Sequence, residues 1–430
     1  MNTTPLFIAR RIGLGRKGSG RRSATGIIVA VTGISLSIVI MMVAIAVMNG
    51  FKDEIRRKVT GFEAQLTIAL PPPADEMSGD AGSTSLTPRP VSICAAVTEA
   101  IEAMRAGGYE ANAWLASLRP VILKTSDNFK GLVAKGVSDP DGLSFLAGHI
   151  TRGKLPDYAA DSAHNAIAVS AITANALGLD CGDRVQAYFF GDGAVKVRKL
   201  KIGAIYDTRF SDYDRTFVYT SLPLLQSVDR LAPDEGTRIE LGGLPDADVD
   251  AAGALLQATL LDRLYTGRDS VVYQVDNVHR RGAHYFNWLD LLDTNVTVIL
   301  ALMAVVAGFT LVSSLFIIIL ERVGMIGLLK SVGASNGFIR RIFIIVAERI
   351  VLRGMLIGNA VALTLIWLQH TLHIVPLDPD TYYLSHVPML ITWPDVLWLN
   401  VGVIVVSVAV LILPSQIVAK VSPARAMRFE

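Results

Sequence analysis

Charge is scarce in this chain. Asp, Glu, Lys and Arg make up 18% of its 430 residues, against roughly 25% in a typical soluble domain. That excludes a disordered, charge-rich chain and a nucleic-acid binder with a broad basic face. Cysteine is scarcer still: Cys94 and Cys181 are the only two, so the chain is no disulfide-dense scaffold. No GxxxxGK[ST] phosphate loop occurs anywhere, so the chain has no visible means of hydrolysing ATP. No Ser of the central region lies in a GxSxG context, which leaves a hydrolase unsupported. What is present is apolar: hydrophobic residues are 51% of the chain and mean hydropathy is +0.45.

The net charge of +2 hides a division. Residues 49–294 carry 25 Lys and Arg against 32 Asp and Glu, a net −7; the rest carries 15 against 6, a net +9. An acidic block inside a basic, apolar frame points to a membrane protein with one large extramembrane domain. Crossing about 30 Å of hydrocarbon takes about 20 helical residues. Four runs qualify: Ile27–Val47, Val296–Leu320, Ile350–Trp367 (apolar apart from Arg353 and Asn359) and Val396–Leu413. Trp393 and Trp398 sit near the start of the fourth, where indole rings favour the interface. A cleaved signal peptide is the rival reading of the first run, but the run exceeds the 7–15 residues or so of a signal core.

Positive charge orients the spans. Residues 1–25 hold Arg10, Arg11, Arg16, Lys17, Arg21 and Arg22 and no acid. Arg322, Lys330, Arg340 and Arg341 follow the second span; Lys420, Arg425 and Arg428 follow the fourth; residues 371–394 hold no Lys or Arg. Both termini are therefore expected inside. The expected layout is a cytoplasmic amphipathic leader (1–25), a first span (26–48) and an α+β outer domain with a stalk (49–290). A second span (291–320), a cytoplasmic loop (321–343), a third span (344–370), an outer loop (371–394), a fourth span (395–414) and a cytoplasmic tail (415–430) follow. The fold class is four transmembrane α-helices, one plus three, with the large domain between the first two.

Within the outer domain, Met48–Phe62 reads as a helical stalk and Gln65–Ile68 as a strand; residues 71–90, rich in Pro, Ser, Gly and Thr, read as a linker. Helical spacing over Ser92–Ala106 stops at Gly107-Gly108. Ala113–Lys124 and Phe129–Gly136 predict a hairpin, as do Arg184–Phe190 and Val195–Tyr206 around Gly191-Asp192-Gly193. Ala166–Leu177 begins as a strand and becomes a helix. Thr216–Tyr219 and Val271–Val275 read as strands, and Ala251–Leu264 as a helix. Two lobes and no internal repeat are expected.

Several motifs favour an ordinary role. Gly13-Leu14-Gly15-Arg16-Lys17-Gly18 matches a GxGxxG string but lies in a basic leader, without the strand and helix that dinucleotide binding needs. His370 and His373, and His279 and His284, lack a Cys or acid at ligand spacing, so no metal site is expected. Asp207, Asp212 and Asp214 suit either a hard cation or, more readily, turns and caps. Cys94 and Cys181 could pair or stay free. Arg353, a few residues into the third span, is either a paired or functional intramembrane charge or snorkels to the inner interface. Gly354 and Gly358, and Ala304 and Gly308, are small-residue pairs suited to close helix packing within the chain or with a second copy. Met41, Met42, Ile45 and Met48 are adaptable apolar residues that suit acyl chains, and a plain helix interface explains them as well.

The most informative segment is Glu321–Ser335, ERVGMIGLLKSVGAS. Met325, Ile326, Leu328, Leu329 and Val332 form an apolar helical face, Gly327 and Gly333 allow close approach, and Lys330 adds a charge. Such a helix can dock into a groove on a soluble partner or pack back on the membrane.

At this segment the chain resembles the FtsX-like permeases of the MacB-type ABC transporters, most closely the lipoprotein-releasing permeases (LolC/LolE). The family loop, approximately ERxREIGxLKAxGA, is matched by Glu321, Arg322, Ile326, Gly327, Leu329, Lys330, Gly333 and Ala334; Met325 replaces the usual acid and Gly324 the base before it. Val47-Met48-Asn49-Gly50-Phe51 is similar to the family's VMNGF, and Leu177-Gly178-Leu179 with Gly182-Asp183 to its outer-domain turn. Leu377–Pro388 resembles the loop before the last span, and Pro423-Ala424 with Met427–Glu430 the family's end, with Arg425 where Glu is usual. The hairpin Arg184–Leu200 lacks the long Pro-containing hook of the carrier-recruiting permease.

The resemblance implies a permease of the bacterial inner membrane and no enzymatic activity on this chain. It implies docking of residues 321–334 on a separate cytoplasmic ABC ATPase that holds ATP and magnesium, a second permease copy or paralogue, and a lipid-anchored protein as substrate. Membrane lipids and a periplasmic carrier are further implied partners; nucleic acid is not. Met41, Met42, Ile45, Met48 and Phe51 are assigned to a lipid or substrate cavity. Rival functions are mechanotransmission to an extracytoplasmic partner, efflux, and an outer-face receptor without any ATPase.

Overall fold

The computed structural model describes residues 21–71, 89–160, 164–191 and 194–420. The basic leader with its GxGxxG string, most of the Pro-rich linker, the Gly191–Gly193 tip beyond Gly191 and the last ten residues lie outside them. The chain divides into two compact units. A helical unit takes in the chain up to Asp53, Trp288–Pro376 and the chain from His386 onward; an α+β unit takes in Glu54–Asn287 and Leu377–Ser385.

Among the described residues, four long helices are apolar and long enough to cross a membrane, and most of their length lies in the helical unit. They are Arg21–Phe62, Ala283–Glu321, Asn336–Leu372 and Trp393–Lys420. The first has 42 residues, about 63 Å at the α-helical rise, about twice a hydrocarbon core of roughly 30 Å. Its apolar run ends near Met48, yet the helix continues through the mixed-charge stalk. The first two long helices thus contribute residues to both units. Ile34 and Ile38 of the first, Leu311 and Leu315 of the second, and Phe343 and Val346 of the third share one buried cluster. Small residues make this packing close: a Cβ on Gly358 would lie 2.9 Å from the Ser35 carbonyl oxygen, and one on Gly354 2.8 Å from Ile34. Ser35 Oγ donates to the Gly354 carbonyl at 3.0 Å, satisfying a hydroxyl that lipid could not. Asn359 and Asn400 pair their amides across the third and fourth helices at 2.8 Å.

The α+β unit is built on strands β1 (Leu66–Ala69), β2 (Val91–Ser92), β3 (Asn112–Lys124), β4 (Phe129–Val137), β5 (Ile150–Gly153) and β6 (Ala166–Ser170). It continues with β7 (Arg184–Gly191), β8 (Ala194–Tyr206), β9 (Phe217–Thr220), β10 (Glu235–Gly236), β11 (Arg238–Gly242) and β12 (Gln274–Asn277). Ten of them form one sheet, in the order β12-β1-β11-β3-β4-β9-β6-β8-β5, with β7 pairing both β3 and β8. The double pairing of β7 closes β3, β4, β9, β6, β8 and β7 into a ring. Val121, Leu132, Val169, Phe189, Ile202 and Val218 from its strands belong to one buried cluster with Leu177, Leu225 and Val228 of two helices. Strand β3 is long enough to serve both parts: Asn112–Ala116 pair with β11 and Val121–Lys124 with β7. The expected two lobes are therefore one compact unit joined through β3.

Both expected hairpins, the stalk, the β6-to-helix transition and the helix over Val249–Tyr265 are present. Ser170 caps the helix Ala171–Leu177 by accepting from the Thr173 amide, and Gly178 ends it at φ 66°, a left-handed cap that glycine adopts without steric cost. Three features depart from expectation. The last strand is Gln274–Asn277, slightly later than its Val-rich approach. Asp212 and Asp214 lie in a short helix, Ser211–Thr216. A helix at Leu222–Asp229 has an unused signature in the sequence, Ser221 as N-cap followed by Pro223 in the first turn.

Candidate functional site

The segment after the second long helix folds as a helix–turn–helix. Arg322 interrupts the helix, and a short helix, Val323–Ser331, follows. Gly333 reverses the chain at φ 93°, and Ser335 caps the third long helix through the Phe338 amide. The single apolar face expected here divides. Ile326 and Gly327 are buried, and Met325, Leu329 and Ala334 pack against the same cluster as Ile339 and Phe343. Leu328 and Val332 point outward, 63% and 82% exposed. Glu321, Gly324 and Gly333 are exposed, and Arg322 and Lys330 half-buried. One side anchors the helix to the bundle; the other offers apolar side chains.

The residues assigned to a lipid cavity separate as well. Met41 borders an apolar cavity of about 210 Å³ together with Ile34, Ala304, Gly308, Trp398 and Gly402. Met42 is buried against Ala362 and Ile366 of the third helix, and so serves packing. Met48 is buried and Ile45 half-buried. Phe51 meets Trp288 edge-on at 6.3 Å. Gly354 and Gly358 take the first helix, whereas a Cβ on Gly308 would meet Val410 at 3.3 Å and Ala304 faces the cavity. Arg353 is exposed, which suits snorkelling.

In the α+β unit, the end of the first long helix is held by aromatic and ionic contacts. Phe62 is buried and stacks on Tyr213 at 4.8 Å; Phe210 lies 5.0 Å from Tyr213 and 5.1 Å from Tyr285. Tyr285 donates to Asp212 at 2.9 Å. Lys135 donates to the Phe62 carbonyl at 2.8 Å and lies 3.0 Å from Glu240. Burial alone would raise the Glu240 carboxyl. The Lys135 and Arg238 charges, with hydrogen bonds from Lys135 and Trp114, outweigh it and hold the group below the usual range. Asp214 is the opposite case: burial pushes it up to about 6 despite two hydrogen bonds from Thr208.

The three loop aspartates are thus each engaged in hydrogen bonds: Asp214 to Thr208 and Asp207 to the Arg209 amide at 3.0 Å within the loop, and Asp212 to Tyr285 of the second long helix. Among the described residues no group of three His, Cys, Asp or Glu could hold a metal ion. The histidines differ from expectation at one place. Folding brings two acids to His279, with Asp250 3.1 Å from Nδ1 and Asp246 3.2 Å from Nε2, and Asp246 also pairs with Arg56 of the stalk at 3.0 Å. Sequence spacing could not show this, because the acids lie about 30 residues upstream. Cys94 and Cys181 are unpaired; Cys94 Sγ lies 3.3 Å from the Tyr273 hydroxyl.

Residues 297–423 match the family described as FtsX-like permease C-terminal. The chain is similar to lipoprotein-releasing system transmembrane protein LolC of Xylella fastidiosa, 23% identical with 93% of each chain covered. It is also similar to LolC of Neisseria meningitidis, 24% identical with 94% of each covered. LolE of Haemophilus influenzae matches at 24% identity over 49% of this chain and 51% of its own. Among solved structures, the periplasmic region of MacB from Actinobacillus actinomycetemcomitans aligns with 54% of this chain and 98% of its own, at 11% identity and a TM-score of 0.33.

Proposed function

We propose that this chain, an ABC transporter permease of the Lol/FtsX type, is the membrane subunit of an ATP-driven complex that releases lipid-anchored proteins from the bacterial inner membrane. The observation that carries the reading is the divided helix Val323–Ser331. Ile326 and Gly327 fasten it to the bundle, while Leu328 and Val332 are left exposed beside it. A short anchored helix with outward apolar side chains suits a groove on a soluble partner. In this reading the partner is a cytoplasmic ATPase, which would hold ATP and magnesium. Both termini would be cytoplasmic and the α+β unit periplasmic, in accord with the basic leader and loops.

A second permease, either a copy or a paralogue, would complete the membrane part. Similarity to LolC along 93% of both chains supports a lipid-anchored protein as the cargo. Met41 and the cavity beside it would receive an acyl chain. Two long helices that contribute to both units would carry the motion of the ATPases outward. That continuity also favours a second reading, mechanotransmission to an extracytoplasmic partner without transport.

Depletion of the chain followed by membrane fractionation tests the two. Release predicts that lipid-modified proteins accumulate in the inner membrane. Normal departure of those proteins, with a defect elsewhere in the envelope, would reject release and leave mechanotransmission.

A further inference from the structure

The segment between the third and fourth long helices is divided between the two units. Leu377–Ser385 belongs to the α+β unit, whereas Pro376 and His386 on either side belong to the helical unit. The segment closes on itself, with the Leu377 amide donating to the Ser385 carbonyl at 3.0 Å. It contains one helical turn, Pro379–Tyr382. Its sequence, LDPDTYYLS, carries no basic residue.

Tyr383 is the centre of its attachment. Its backbone lies at φ 59°, a conformation that tyrosine adopts only when its surroundings impose it. Two groups do so. The Tyr383 carbonyl accepts from Lys58 Nζ at 2.8 Å, and Lys58, on the stalk of the first long helix, is almost wholly buried. The Tyr383 ring stands edge-on to Phe210 at 5.0 Å and to Tyr285 at 5.8 Å. Phe210 is fully buried and also lies 6.3 Å from Phe62. Tyr383 therefore meets the stalk of the first long helix through Lys58, the start of the second through Tyr285, and the loop of the α+β unit through Phe210. Edge-to-face rings hold an angle as well as a distance, and a buried ammonium given a carbonyl strongly resists losing it.

We propose that Leu377–Ser385 is a strap that fastens the third and fourth long helices to the α+β unit. Tyr383 is its clasp, so the α+β unit is driven through three attachments rather than the two stalks alone. The fastening stands on the contacts of Tyr383; its consequence for transport rests on the reading of the previous section.

The first arm of the test uses the full-length chain in lipid nanodiscs and amide hydrogen exchange. Tyr383→Ala and Lys58→Met are compared with Tyr382→Ala, whose ring is exposed. Both clasp variants should speed exchange at residues 377–385 and 210–216 by about tenfold or more, with β3 and β6 protected as before. Tyr382→Ala should leave all of these unchanged. Unaltered exchange in both clasp variants would overturn the strap. So would an equal loss of protection throughout the unit, which would make Tyr383 an ordinary core residue.

The second arm uses the assembled complex with its ATPase. Tyr383→Ala should keep ATP hydrolysis within about twofold while losing most of the nucleotide-dependent change in exchange across β3 to β9. If that change persists, the strap transmits nothing. Failure to isolate any ATPase would count against the proposed function and leave the first arm standing.

Discussion

The ammonium of Lys135 lies 3.0 Å from the carboxylate of Glu240, and both side chains are buried. Lys135 joins β4 to β11 through this pair and to the end of the first long helix through the Phe62 carbonyl. Removing one member of a buried pair strands the other charge. Lys135→Met is expected to destabilise the α+β unit by ~3 kcal/mol or more, and Lys135→Met with Glu240→Leu to recover at least half. Chemical denaturation of both variants, followed by hydrogen exchange in β3 and β11, checks this. Equal losses in the single and the double variant would mean that the ion pair itself supplies the stability.

Asp214 makes the α+β unit sensitive to pH. Its carboxyl titrates near 6 in the fold and near 3.9 unfolded, so the folded unit holds the proton more tightly. The associated stability is fully present below about pH 4 and is lost as pH rises through about 6. The whole effect is ~3 kcal/mol at most. Melting between pH 4 and 8 should show the decline, and Asp214→Asn should flatten it while keeping an acceptor for Thr208. A slope that survives the substitution would assign the dependence to another group.

Gly358 tests the packing of the helical unit. A methyl group there meets backbone, the Ser35 carbonyl at 2.9 Å, which no rotamer can move aside. Gly358→Ala is expected to destabilise the bundle by ~1–3 kcal/mol, read as a lower melting temperature in detergent. Gly337→Ala, with nothing within 4 Å of its added carbon, should be neutral or better, since alanine favours the helix.

The helical part was legible because hydrocarbon thickness sets a length that any sequence must show. The hairpin of β3 and β4 was legible because alternation and a turn are local. The ring closed by β7 was not, since a register such as Val121 opposite Phe189 has no local signature. The clasp was hidden for the same reason: Lys58 and Tyr383 are 325 residues apart. The segment Glu321–Ser335 was half legible. Its apolar residues could be read from the sequence, but which of them face the bundle is decided by packing against Ile339 and Phe343 of the following helix.

That division gives the test with the widest separation of outcomes. Ile326 is fully buried and Leu328 is not, although the two lie on one short helix. Ile326→Asp buries a charge in the bundle and should lower the yield of folded chain, with or without a partner. Leu328→Asp places its charge in solvent, so melting of the isolated chain should shift little. It should nonetheless weaken retention of the ATPase during purification by about tenfold or more, the loss of ~1.4 kcal/mol or more at an interface. Val332→Asp should behave as Leu328→Asp does. Full retention of the ATPase by both outward variants would remove the exposed face from the docking surface and leave Val323–Ser331 as a packing helix alone.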